Sequence, residues 1–167
     1  MGSDRSFDEV YDQLFPAIYR FIAARVPGSD VEDVTAEVMA KAWRAWPEFQ
    51  GNSSPKTWAL RIAYNQIADY YRKKKHWPVI MSLEPDNVTM PDPSEQASIL
   101  LSIGQALAHL NQQQVAVIQL RLVEGFSAAE AAAVLGISPS AVDSLLYRAK
   151  KSFRELYQGT KGGGLRA

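Results

Sequence analysis

Two stretches of this 167-residue chain carry residue types at spacings that do chemistry. Residues 55–75, PKTWALRIAYNQIADYYRKKK, put Trp58, Arg61 and Asn65 on one helix-period segment that ends in Arg72, Lys73, Lys74 and Lys75. Aromatic rings stack on bases, an amide bonds base edges and cations hold phosphates, so the set suits single-stranded or partly melted nucleic acid. The same segment also reads as a core helix with a solvated basic end, because Leu60, Ala63, Tyr64, Ile67 and Tyr71 share a face opposite Arg61, Asn65, Asp69 and Arg72. Taken alone, it favours that second reading.

Residues 127–150, SAAEAAAVLGISPSAVDSLLYRAK, are more specific. An alanine-rich helix stops at Gly136, Ile137 plugs a turn, and a second helix starts from Ser138 with Pro139 at its first position. Ala129, Ala132 and Ala133 permit close approach, while Val134, Leu135, Ile137, Val142 and Leu146 bury between the helices. This is a helix-turn-helix, whose second helix presents its N-terminal residues to the major groove. Ser138, Ser140, Ala141, Ser144 and Asp143 then face base edges, with Arg148, Lys150, Lys151 and Arg154 along phosphates. An ordinary helical hairpin needs no such succession of cap, glycine, cap and proline.

Other chemistries find no residues. Cysteine is absent, so there is no disulfide framework, thiolate metal site or cysteine nucleophile. His76 and His109 are far apart and neither has a second ligand at metal spacing. No nucleophile and base constellation and no glycine-rich phosphate loop occurs, so neither catalysis, a metal nor a cofactor is expected. No apolar run reaches the ~20 residues of a membrane span and residues 1–7 lack signal-peptide order, so an intracellular, soluble chain without membrane insertion is expected.

The 18 cations and 18 acids cancel overall but not locally. Residues 1–60 hold 6 basic and 9 acidic side chains, residues 61–75 hold 5 and 1, residues 76–120 hold 0 and 4, and residues 121–167 hold 7 and 4. Two basic patches therefore flank an acidic stretch. Within it, residues 76–93 contain Pro78, Pro85, Pro91 and Pro93 without sustained periodicity and read as a linker.

Positioning these side chains falls to helices alone. Capping-box pairs Ser6/Glu9, Ser29/Glu32, Asp92/Glu95 and Ser127/Glu130 mark starts, as do Ser54-Pro55 and Ser138-Pro139; Gly28, Gly51, Gly125 and Gly136 mark stops. The spacing predicts helices over 7–26, 30–46, 55–75, 94–109, 112–124, 128–135 and 139–156, an all-α fold of two small helical domains joined by a flexible linker. Phe7, Tyr11, Leu14, Phe15, Ile18 and Ile22 recur as one apolar stripe and are expected in the core. The domains fall at 1–75 and 94–157, with the linker at 76–93 and a disordered tail at 158–167.

Three segments in order, DVEDVTAEVMAKAWRAW (30–46), FQGNSSPKTWALRIAYNQIADYYRKKK (49–75) and LVEGFSAAEAAAVLGISPSAVDSLLYRAKKSFREL (122–156), resemble regions two and four of bacterial RNA polymerase sigma factors of the extracytoplasmic-function group, in the sigma-70 family. The resemblance spans about residues 7–157. It implies a transcription initiation factor with no catalysis of its own, acting in the cytoplasm on core RNA polymerase and promoter DNA and held in check by an anti-sigma factor that covers the linker and docking faces.

Residue by residue, the resemblance assigns Asp33, Glu37, Lys41 and Trp43 to the polymerase clamp, with Ala36 where the family usually has glutamine. It assigns Asn52, Ser53, Ser54, Trp58, Arg61, Asn65, Arg72 and Lys73 to capture of the upstream-ten element, and Ser138, Ser140, Ala141, Asp143, Ser144, Arg148 and Lys151 to the upstream-thirty-five element. Asp143 and Leu145 stand where the family commonly has basic residues, which removes two phosphate anchors and predicts weak duplex binding by the second domain alone. A repressor or activator that reads duplex DNA through residues 127–150 and senses a ligand with its N-terminal unit is the competing reading; it leaves Trp58 to Lys75 unexplained, and a polymerase pull-down separates the two.

Overall fold

The computed structural model of the chain describes residues 6–74 and 93–162. Seven α-helices follow in order: α1 (Phe7–Ala23), α2 (Val31–Ala45), α3 (Pro55–Lys74), α4 (Pro93–Ala108), α5 (Gln112–Ile118), α6 (Ala128–Leu135) and α7 (Pro139–Gly162). No strand occurs among the described residues, in keeping with the all-α, two-unit expectation. The linker expected at 76–93 lies almost wholly outside them, as do His76 and the Asp92 cap.

Helices α1, α2 and α3 pack on one another around Val10, Leu14, Ile18, Phe21, Val34, Val38, Leu60, Ala63 and Ile67, all buried. In the second unit α5, α6 and α7 enclose Val117, Leu120, Val134, Val142 and Ala149, with α4 against α7. The units are not held apart. Helix α3 lies against α6, and one cluster of buried apolar side chains runs from Phe7 through to Ala149. Burying shared apolar area in this way favours a closed chain over two independent domains.

Four local expectations need correction. The apolar stripe of α1 divides: Phe7, Leu14, Ile18 and Ile22 are buried, but Tyr11 and Phe15 are 41% and 38% exposed. With Tyr19 these rings form an outer stacked ladder, centroids 5.8 and 6.0 Å apart, because positions four apart repeat on one face and this face lies just beyond the core. The Ser29/Glu32 box does not form; a 3₁₀ turn over Gly28–Asp30 precedes α2, and Asp30 accepts from Tyr70 and Lys74 instead of capping. The helix expected over 112–124 changes to π geometry at Gln119–Val123, where the Glu124 amide donates to the Gln119 carbonyl at 2.9 Å. Finally, α7 continues through Gly162, past the point where a tail was expected.

The caps explain the remaining boundaries. Ser127 and Glu130 form both halves of a capping box, at 3.1 and 2.7 Å, and Ser54 accepts from the Thr57 amide at 3.1 Å. Ser6 supplies only its own half, accepting from Asp8 at 3.3 Å. Asn111 and Gln114 make a further full box at the start of α5, which a search restricted to serine, threonine or aspartate followed by glutamate misses.

Candidate nucleic-acid interface

The helix-turn-helix is built as its residues require. Gly136 ends α6 with φ +69°, a left-handed conformation that any side chain would strain, and its amide donates to the Ala132 carbonyl at 2.8 Å. Ser138 then caps α7, accepting from the Ala141 amide at 3.2 Å, and α7 leaves at 92° to α6. Val134, Leu135, Val142 and Leu146 fill the angle between them.

Ser138, Ser140, Asp143, Ser144, Arg148 and Lys151 are exposed on α7, with Ala141 half-buried. Leu145 is only 7% exposed, so it belongs to the core and no phosphate-facing position is lost there. Asp143 lies 4.0 Å from the Arg121 guanidinium, which offsets part of its repulsion toward phosphate. Tyr147, 71% exposed one turn beyond Ser144, joins this face; its place in a helix with apolar neighbours hid it in the sequence.

In the first unit, residues 49–54 form a loop that turns at Gly51, φ +72°, over a floor of Trp46, Phe49 and Trp58. Asn52 is exposed above that floor and Ser53 half-exposed. Ser54 spends its hydroxyl oxygen on the α3 cap, and Trp58 packs against Trp46 with centroids 5.7 Å apart, so both hold the loop in shape. Along α3, Asn65, Arg72 and Lys73 are exposed, Arg72 pairing with Asp69 at 2.7 Å. Arg61 is turned aside: its guanidinium donates to the Ala133 carbonyl of α6 at 2.6 Å.

Helix α2 presents Asp33, Ala36, Glu37, Lys41 and Trp43 to solvent, Trp43 being 64% exposed. Glu37 and Lys41 are tied through Gln66 of α3, whose amide nitrogen donates to Glu37 and whose oxygen accepts from Lys41. The buried amide thus fixes one acid and one base on the outer face of α2.

Sequence reasoning missed the polar seam between the units. Glu124, whose side chain is 2% exposed, takes Arg20 at 3.2 Å and Lys56 at 2.6 Å, and the Lys56 ammonium also stands 5.3 Å over the Phe126 ring. Arg25 is buried flat against Phe21, 3.4 Å from the ring centroid, and donates to Gln119 at 3.1 Å; burial pushes its guanidinium below the ordinary value. Gln119 returns a bond to the Arg20 carbonyl at 2.9 Å. Nothing in residue spacing announces these pairs, since their members lie far apart in sequence. Among the described residues no group of His, Cys, Asp or Glu is arranged to hold a metal, and no single helix is long and apolar enough to cross a membrane.

Comparison with known proteins matches residues 10–76 to the Sigma-70 region 2 family and residues 100–153 to the Sigma-70 region 4 family. The ECF RNA polymerase sigma factor BldN of Streptomyces coelicolor is 31% identical over 163 residues, which cover 93% of this chain and 61% of BldN, so the chain spans about three-fifths of that relative. The ECF RNA polymerase sigma factor SigX of Bacillus subtilis is 30% identical over 162 residues, covering 91% of this chain and 84% of SigX. The sigma factor RpoE of Bartonella quintana, solved in complex with the anti-sigma factor NepR, superposes with a TM-score of 0.76 at 25% identity over 91% of this chain and 96% of its own.

Proposed function

From the premise that this chain belongs to the extracytoplasmic-function sigma factors of the sigma-70 family, we propose that it binds core RNA polymerase in the cytoplasm and starts transcription at promoters with upstream-ten and upstream-thirty-five elements. The observation that carries this reading is the occurrence of both family regions in order, one on a helix-turn-helix with a serine-rich exposed face and the other on a loop over an aromatic floor.

In this reading the unit ending near Lys75 docks through Asp33, Glu37, Lys41 and Trp43 on α2. Asn52, Ser53 and Asn65 take up an extruded base of the upstream-ten element, Ser54 and Trp58 shape the pocket, and Arg61, Arg72 and Lys73 follow the strand. A loop pocket with amide and hydroxyl groups offsets the few kcal/mol that unstacking a base costs. Residues of the unit from about 94 to 157, namely Ser138, Ser140, Ala141, Asp143 and Ser144, read the upstream-thirty-five duplex, with Arg148 and Lys151 on phosphates. The chain does no chemistry itself; the polymerase does.

RpoE was solved with an anti-sigma factor, and we extend that mode of control to this chain. Run-off transcription with purified core polymerase and a promoter library tests the proposal: specific transcripts that need both proteins are expected, and their absence alongside tight duplex binding returns the chain to the repressor class.

A further inference from the structure

We propose that Glu124 is an internal stand-in for a DNA phosphate: Arg20 and Lys56 form an anion site on the first unit that Glu124 fills while the chain is closed and that a backbone phosphate of promoter DNA fills when it opens. The inference rests on the DNA-binding reading above and adds a site that neither the family resemblance nor the sequence pattern assigns.

The geometry is that of an anion held between two cations. One Glu124 oxygen meets Arg20 at 3.2 Å and the other meets Lys56 at 2.6 Å, while the cations themselves remain 54% and 37% exposed. Two oxygens, one negative charge and a fork of N–H donors are shared by carboxylate and phosphodiester recognition alike. Lys56 sits in the first turn of α3, directly after the loop of Asn52 and Ser53, so a strand entering that loop passes the pair. Further along the same helix Arg61 is likewise occupied by the second unit, at the Ala133 carbonyl. The closed chain therefore presents to DNA a first unit with two of its cations, Lys56 and Arg61, already engaged.

Shared apolar area favours closure, and the ion clasp is the part of it for which DNA competes. Parting the units rehydrates the Glu124 carboxylate, whereas removing only one partner would leave a charge buried and unpaired. Because one site serves two anions, closing and DNA binding oppose each other through it, and linkage makes the opposition mutual.

The natural absence of cysteine allows a clean test. In the full chain, spin labels at Gln13→Cys and Gln158→Cys, both exposed, report the separation of α1 and α7 by double electron–electron resonance. The nearly isosteric Glu124→Gln should shift the distance distribution to longer separations and tighten binding of a fluorescein-labelled 12-mer oligothymidylate by about fivefold or more. Saturating oligothymidylate should produce the same opening in the parent chain. Adding Arg20→Gln or Lys56→Gln to Glu124→Gln should keep the chain open yet remove most of the gain in affinity. Because Arg20→Gln alone also breaks the clasp, it should open the chain independently of any folding defect in Glu124→Gln. Opening with an affinity gain that survives loss of Arg20 and Lys56 overturns the phosphate site, and unchanged distances together with unchanged affinity overturn the clasp. Failure of the chain to support run-off transcription while these results hold would count against the initiation reading and leave the anion site standing.

Discussion

Trp46 and Trp58 meet edge to face, ring centroids 5.7 Å apart with planes at 64°, and Phe49 lies 5.1 Å from each. This three-ring floor joins the end of α2 to the start of α3 and supports the loop that carries Asn52. It separates two roles that sequence leaves merged, residues that shape the loop and residues the loop displays.

Phe49→Ala should accordingly cost about 3–4 kcal/mol of stability, read from urea unfolding, because it empties a buried ring site. Asn52→Ala with Asn65→Ala should leave the unfolding midpoint nearly unchanged. The pair should instead lower open-complex formation by about five- to a hundredfold, since each neutral hydrogen bond contributes roughly 0.5–1.5 kcal/mol only after a base is extruded. Permanganate footprinting on duplex and premelted templates checks this, with partial recovery on the premelted one; equal melting by variant and parent on the duplex would make both residues structural.

Trp43 is exposed enough that its removal does not endanger the fold. Trp43→Ala should change stability by no more than about 0.5 kcal/mol, while Trp43→Ala with Asp33→Ala weakens capture of core polymerase in a pull-down. Far-ultraviolet circular dichroism establishes that the variant is folded. A folded double variant that binds core as tightly as the parent sinks the assignment of this face.

Duplex binding by the second unit should fall steeply with salt, as expected of three to five phosphate contacts. Asp143 opposes it, with Arg121 at 4.0 Å offsetting part of the charge. Asp143→Asn should therefore tighten duplex binding at low salt, about two- to fivefold by electrophoretic mobility shift, with the difference closing as salt rises. Weaker or redirected binding would mean that the carboxylate accepts from a cytosine amino group.

Asp30 gives the fold an acid-sensitive latch. The Lys74 ammonium, followed by the Tyr70 hydroxyl, lowers its carboxyl from the ordinary 3.8 to about 2. A depressed carboxyl stabilises the fold fully above its unfolded value, and that contribution fades as pH falls from about 4 toward about 2. The difference in thermal midpoint between the parent and Asp30→Asn should thus be largest near neutrality and shrink through that window. A difference independent of pH would place the effect elsewhere.

Helices, their caps and the helix-turn-helix were legible because each rests on neighbours within four residues: Ser127 with Glu130, Gly136 before Ser138, Ser54 before Pro55. The α1 stripe was half legible, since period alone does not say where the core stops, and Tyr11 and Phe15 fall just past its edge. Analogy puts Leu145 at the surface, whereas its spacing from Val142 and Ala149 places it inside. The seam of Arg20, Arg25, Lys56, Gln119 and Glu124 was illegible, because ion pairs and hydrogen bonds between residues 68 to 104 apart leave no local pattern.

The π turn at Gln119–Val123 gives this seam its phase. An α-helix advances about 100° per residue, and a π turn absorbs one surplus residue without that advance accumulating. Gln119 and Glu124 bracket the surplus and both face the first unit. On ordinary α pitch two residues five apart would point about 140° away from one another, so it is the π turn that brings the Gln119 amide and the Glu124 carboxylate to one face. A helix one residue too long for its own pitch thus lets an amide and a carboxylate reach the same neighbour.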